Sequence, residues 1–187
     1  NANYQPADSK IAENKYMRSL GYTLPTSLGA WNSIVSFAHS DIRDVRGFLR
    51  PDLIDDGSPN ADSQNQYRLI NDLYGDSHLA SDLGDGATLL VGADLLYGVG
   101  RQRSLNGEYY VPLNGLTIAP PTTSLHVDEI NSVADRRVFV GQYVQVDWKP
   151  DDRWDLVAGL RLNETDEHKD SAHIDGFDQP LDEFDTP

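Results

Sequence analysis

The chain has 187 residues, no cysteine and a single methionine. Without cysteine there is no disulfide, no thiolate metal site and no cysteine nucleophile. The fold must therefore be held by packing and hydrogen bonds. Basic residues are scarce, with 15 Lys plus Arg against 30 Asp plus Glu and a net charge of −15. That balance argues against a nucleic-acid backbone or an anionic membrane surface as partner. No apolar run approaches the roughly 20 residues that a membrane-spanning helix requires, and no charged-then-apolar signal peptide opens the chain. Neither absence bears on a β-barrel, whose strands need only about 10 residues and offer lipid every second one.

With 39% hydrophobic residues the chain has enough apolar material to bury a core. The most ordered pattern lies between Val138 and Asn163. Val138, Val140, Val144, Val146 and Trp148 share one parity, and Gly141, Tyr143, Gln145, Asp147 and Lys149 share the other. After the turn residues Pro150 to Arg153 the scheme repeats, with Trp154, Leu156, Ala158, Leu160 and Leu162 opposite Asp155, Gly159, Arg161 and Asn163. Period-2 alternation on both sides of a short turn predicts a β-hairpin, and each apolar face carries a tryptophan beside the turn. An outer-membrane barrel alternates in this way, with lipid outside and water inside, and a soluble sandwich alternates similarly.

Two further units have the same form. Tyr16, Leu20, Tyr22 and Leu24 alternate before the turn at Pro25 to Gly29, and Trp31, Ser33, Val35 and Phe37 alternate after it. Tyr67, Leu69, Leu73 and Leu79 lead to Gly84-Asp85-Gly86, and Leu89, Val91, Ala93, Leu95 and Tyr97 return, with Gly92 and Asp94 facing the other way. The expected fold is all-β, an antiparallel meander of about six strands in three hairpins over residues 14–39, 67–98 and 137–165. Residues 42–66, 100–136 and 164–187 are rich in Asp, Asn, Ser, Gly or Pro and read as long loops. Only Ala7 to Lys15 could hold a turn of helix, and an extension of the first strand fits it equally well. Loops of this length are uncommon in compact soluble domains, whereas outer-membrane barrels pair short periplasmic turns with longer extracellular loops.

Residues with catalytic potential form no constellation, and no enzyme activity or cofactor is expected. No G-x-S-x-G elbow occurs. Gly98-Val99-Gly100 has Arg103 where a dinucleotide fingerprint needs its third glycine. Asp52, Asp55 and Asp56 precede Gly57, but Ile54 takes the third position of an EF-hand loop and no closing Glu follows. His168 and His173 beside Glu164 and Glu167 match no metal-ligand spacing and read as a solvated loop. Asp151 and Asp152 sit where a turn favours Asp for its bonds to nearby amides. Arg101, Arg103, Arg136 and Arg137 stand at loop bases, where they either attract an anionic chelate or pair with the abundant acids.

The run Tyr143-Val144-Gln145-Val146-Asp147-Trp148-Lys149-Pro150, followed by Ala158-Gly159-Leu160-Arg161, resembles TonB-dependent outer-membrane receptors. In that family a Y-x-Q-[DE]-x-W-x-P-like strand precedes an x-A-G-x-R-like strand; here the acidic residue is displaced by one position, to Asp147. The specific likeness is confined to this hairpin, and the rest of the chain fits through its organisation. The resemblance implies a bacterial outer-membrane location, import of a ferric siderophore or other scarce nutrient, and a barrel of about 22 strands, of which six make roughly a quarter of the wall. Neither a plug nor a TonB-engaging segment is recognisable, so the chain is expected to be an internal piece whose partners are the rest of the barrel, the plug, the TonB system and a small nutrient. Trp148 and Trp154 become expected interface aromatics at the periplasmic rim. Tyr143, Gln145, Asp147 and Arg161 face away from lipid and are the expected lumen-facing or ligand-contacting residues, with a cross-strand polar network as the alternative role. The competing function is a soluble all-β binding or adhesion domain that uses its acidic loops. Isolated, the chain is expected to pack sheet on sheet or to homo-oligomerise.

Overall fold

The computed structural model describes residues 4–180, with side chains through residue 174. Six strands follow one another as β1 (Lys10–Thr26), β2 (Gly29–Leu49), β3 (Ala61–Gly84), β4 (Ala87–Tyr109), β5 (His126–Asp151) and β6 (Trp154–Pro180). Their order in the sheet is their order in the chain, every neighbouring pair is antiparallel, and β1 and β6 are free edges. The sheet is therefore open, the expected meander of three hairpins and an incomplete barrel wall.

The hairpins run further than the alternation suggested. Pairing continues through most of residues 42–66 and 100–136, so the long connections shrink to residues 50–60 and 110–125. Residues 164–180 continue β6, and 181–187 lie outside the described residues. The ladder needs only backbone groups, so it persists where both faces of a strand are polar and periodicity vanishes. Lys10 already pairs with Val45, so the first segment extends a strand and forms no helical turn. Among the described residues the sole helical element is a 3-10 turn at Thr122–Ser124.

All three tight turns lie at one end of the sheet. Asp85 and Gly86 both have positive φ (51° and 74°), the requirement of a two-residue turn matched to strand twist. The Lys149 amide donates to the Gly86 carbonyl at 2.9 Å, so the β5 backbone passes too close to Gly86 to leave room for a side chain. At the first turn the Thr26 hydroxyl donates to the Gly29 carbonyl at 2.8 Å and accepts from the Leu28 amide at 3.2 Å.

Register joins the separate apolar faces into one band. Leu24, Trp31, Leu79, Val91, Val144 and Leu160 follow one another across β1 to β6 in consecutive pairs. Leu20 pairs with Val35, Leu73 lies between Phe37 and Tyr97, and Leu95 pairs with Val140. The band slants against the ladder. On β6 it ends at Leu162, level through Gln142 with Ala93, whereas on β4 it continues to Tyr97 and Val99. A slant of this kind is what tilted barrel strands produce when lipid is level. Arg18, opposite Phe37 on the edge strand, interrupts the band, and its long stem lets the charge reach the interface. Trp31, Trp148 and Trp154 mark the turn end of the same face, and the Trp148 indole donates to the Asp85 carbonyl at 3.3 Å.

At the long-loop end this same face is covered by the chain itself. Ala61, Tyr109, Val111, Ala119 and Leu125 form a buried cluster with Tyr4 and Leu49 packed against it. Segment 4–8 crosses over it: the Tyr109 hydroxyl donates to the Tyr4 carbonyl at 2.7 Å, Gln5 bonds Gly47 in both directions, and Pro6 bridges to Ala119. Asp8 accepts from the Thr122 amide and hydroxyl at 2.7 and 2.6 Å. Fully buried Asn60 ties the two loops together, donating to the carbonyls of Ile54 (2.7 Å) and Val111 (2.9 Å) and accepting from the Val111 amide (3.0 Å). Asn60→Ala strands these buried backbone groups, at a cost of about 2 kcal/mol. Hydrogen exchange across residues 110–125 is expected to accelerate about 30-fold, while amides of the turn end stay unchanged; equal protection in the variant would remove Asn60 from this role.

Candidate functional site

Opposite the band lies a polar face on which the side chains crowd together. Asp94 is 8% exposed, whereas Leu20 and Leu160 on the band are 77% and 76% exposed. Two adjacent register rows supply the centre of this face. One contains Asp76, Asp94, Gly141 and Asn163, and the next contains His78, Gly92, Tyr143 and Arg161. Residues on neighbouring rows meet diagonally, a separation that long side chains span.

The glycines make that reach possible. A Cβ on Gly92 would sit 2.6 Å from the Tyr143 ring and from the His78 Cβ. Lying over Gly92, Tyr143 reaches across β4 and donates its hydroxyl to Asp76 Oδ2 on β3 at 2.7 Å. A Cβ on Gly141 would collide with the Arg161 guanidinium and the Asp94 carboxylate. Over that gap Arg161 donates to both oxygens of Asp94, at 2.9 and 2.8 Å, while its Nε donates to Asn163 Oδ1 at 2.7 Å. The guanidinium lies 5.6 Å from the Phe139 ring centroid and 5.7 Å from that of Tyr143, within cation–π range. His78 Nδ1 lies 2.7 Å from Asp76 Oδ1. The result is a chain of polar groups across four strands, bordering a hollow of about 410 Å3 lined by Tyr74, Asp76, Asp94, Tyr143, Gln145 and Arg161. It presents oriented donors and acceptors, with no nucleophile held beside a base.

Of the four expected residues, Tyr143 and Arg161 join this network. Gln145 lines the hollow but donates to Asp147 at 3.0 Å, one step nearer the turn, and that pair makes no described contact with Arg161. Asp76 and His78 carried no signal in the sequence, because only the β3 to β4 register brings them under Tyr143. His168 and His173 differ in parity and therefore face opposite sides of β6, the first beside Asp170 and the second beside Glu129, so they cannot share an ion. Among the loop-base arginines, Arg137 is on the polar face and pairs with Glu167 at 2.6 Å. Arg101, Arg103 and Arg136 are on the band's side. At the loop end of the polar face Arg50 is clamped between Asp62, at 2.7 Å, and Glu108. Hydrogen bonds to these two carboxylates raise its pKa above the ordinary arginine value. Asp128 nearby is pushed up by burial, with Glu108, Glu129 and Asp62 adding to the effect.

A family model described as TonB dependent receptor-like, beta-barrel, matches residues 1–187. No curated protein matches the chain.

If the open space over Gly92 is what seats Tyr143, Gly92→Ala overpacks the site and lowers stability by about 1–3 kcal/mol. Gly100→Ala is expected to be neutral, since nothing lies within 4 Å of the added methyl. Thermal unfolding of the two variants checks the contrast, and equal midpoints would refute it.

Proposed function

The chain belongs to the TonB-dependent receptor β-barrel family, and from that premise we propose that its six strands form wall and extracellular loops of a receptor importing a ferric siderophore or similar scarce nutrient across the outer membrane. Members of this family are transporters and receptors of the Gram-negative outer membrane, not enzymes, and work with a plug and TonB. The single observation that carries the reading is the apolar row Leu24, Trp31, Leu79, Val91, Val144 and Leu160 that crosses all six strands, with polar side chains on the reverse of every strand. Lipid demands both features: each backbone group paired within the sheet, and apolar side chains outward.

The two ends of the sheet then take an orientation. Short turns with Trp31, Trp148 and Trp154 face the periplasm, and residues 50–60 and 110–125 lie outside the cell, as barrels of this type arrange them. The network of Tyr143, Arg161, Asp94 and Asp76 lies in the lumen, where it contacts the plug or the passing nutrient, with Gln145 and Asp147 just below it. Free edges at β1 and β6 are where further strands complete the wall.

Val144 and Leu160 face each other near the middle of the band. Val144→Asp and Leu160→Arg, made separately in the full-length receptor, are expected to block outer-membrane insertion, since a charge near the bilayer midplane costs about 2–4 kcal/mol. Normal amounts of both variants in the outer-membrane fraction would show that this face does not meet lipid. For the cargo, deleting the receptor is expected to abolish uptake of one iron-loaded siderophore; undiminished uptake of every ferric chelate tested would point to a nutrient without iron.

A further inference from the structure

We propose that the cargo taken past this stretch of wall carries no net negative charge, so that the receptor admits an uncharged ferric trihydroxamate and rejects anionic ferric chelates. The inference rests on the reading above, in which the polar face lines the lumen of a receptor for a ferric chelate. Three hydroxamates bring one negative charge each and neutralise the ferric ion, whereas three catecholates bring two each and leave a trianion. A wall tells these complexes apart by the cations it leaves available.

On the polar face nearly every arginine is already matched. Arg46 is held by Asp44, Arg50 by Asp62 and Glu108, Arg137 by Glu167 and Arg161 by Asp94. Arg68 is the exception among the described residues and donates to the neutral Gln66. Of the lysines on this face, Lys15 follows Glu13 on β1, Lys169 faces Asp135 and Lys149 pairs with Asp155. Acids without a described ion pair stand among them. The Asp72 carboxylate leans over Gly98, Asp147 meets the Gln145 amide, and Asp135 keeps one oxygen buried with no hydrogen bond. An anion that drew Arg161 away would strip buried Asp94 of its partner, which is strongly destabilising.

The entrance has the same sign. At the loop end of this face a hollow of about 510 Å3 is bounded by Phe48, Asp62, Glu108, Asp128 and Glu129. Hydrogen bonds from Asn131 and Asn106 hold the Glu129 carboxyl below its usual range, so it stays ionised. Burial and then the charges of Glu108, Glu129 and Asp62 push Asp128 up. Like charges acting on one carboxyl mark a negative potential, which repels an anion before it reaches the lumen. Deeper in, the hollow beside Arg161 offers an uncharged complex the rings of Tyr74 and Tyr143 and the side chain of Gln145. Ring contact and neutral hydrogen bonds need no charge on the ligand.

Purified full-length receptor is titrated with ferrichrome, an uncharged trihydroxamate complex, and with ferric enterobactin, a tricatecholate trianion, at low and high salt. Ferrichrome is expected to bind about 10-fold or more tightly than the trianion. Its affinity should not respond to salt, while that of the trianion rises as salt screens the wall. Glu167→Gln releases Arg137, and Glu108→Gln removes one charge from the entrance. Each is expected to strengthen binding of the trianion about 3- to 10-fold and to leave ferrichrome binding unchanged. Heat-modifiable electrophoretic mobility reports that both variants fold. Tighter binding of the trianion by the wild type, weakening of that binding by salt, or its loss in Arg68→Gln would each overturn the proposal, the last because it would make Arg68 an anion site. Unchanged affinity for the trianion in both folded variants would overturn it as well. These outcomes defeat this inference alone, whereas a receptor that binds neither complex defeats the reading of a ferric cargo and this inference with it.

Discussion

Uninterrupted backbone pairing in a single register is the constraint on which everything else in this molecule depends. In hydrocarbon no water is present to take an unpaired amide or carbonyl, so the ladder must run the full depth of the wall. Once it does, parity assigns every side chain to one face, and a slip of one residue on any strand would exchange lipid and lumen for that whole strand. The described irregularities obey this rule. They fall between Asp82 and Gly84, between Trp148 and Asp151, and between Val127 and Glu129, at the tight turns and at the loop-end start of β5, outside the depth occupied by the band. Bulges are tolerated where the two faces meet water and are absent where a slip would matter.

The legibility of the fold follows the same boundary. The faces of Leu20, Val91 or Val144 were readable because lipid on one side and polar side chains on the other impose a strict period of two. Beyond the band the requirement lapses. Ser132, Asn131 and Glu129 pair with β4 as firmly as Val144 does, yet nothing in their order distinguishes strand from loop. The tight turns were visible through Asp85-Gly86 and Pro150 to Arg153, whose backbone demands select particular residues. The packing of segment 4–8 over Gly47 and Tyr109 left no trace in local pattern, because it arises from contacts between residues about 40 to 105 positions apart.

On the polar face, alternation placed Tyr143, Gln145, Asp147 and Arg161 together and could go no further. Which partner each meets depends on offsets between strands, and only the three-strand register shows that Tyr143 addresses Asp76 and Arg161 addresses Asp94. Gly92 and Gly141 are the hidden half of the arrangement. In sequence they look like weak points in good strands. In the sheet they are the spaces over which a phenol and a guanidinium cross to the neighbouring strand, much as an aromatic covers a glycine in other sheets. Tyr143 and Arg161 are the side chains that bridge those gaps, to Asp76 and Asp94.

Charge sorts along the same geometry. The excess of acid in the whole chain is distributed by face. On the polar face Asp44, Asp94 and Glu167 each neutralise an arginine, so cations there serve the packing of the wall. Arg101 and Arg136 lie on the other side, at the height where the band gives way to water.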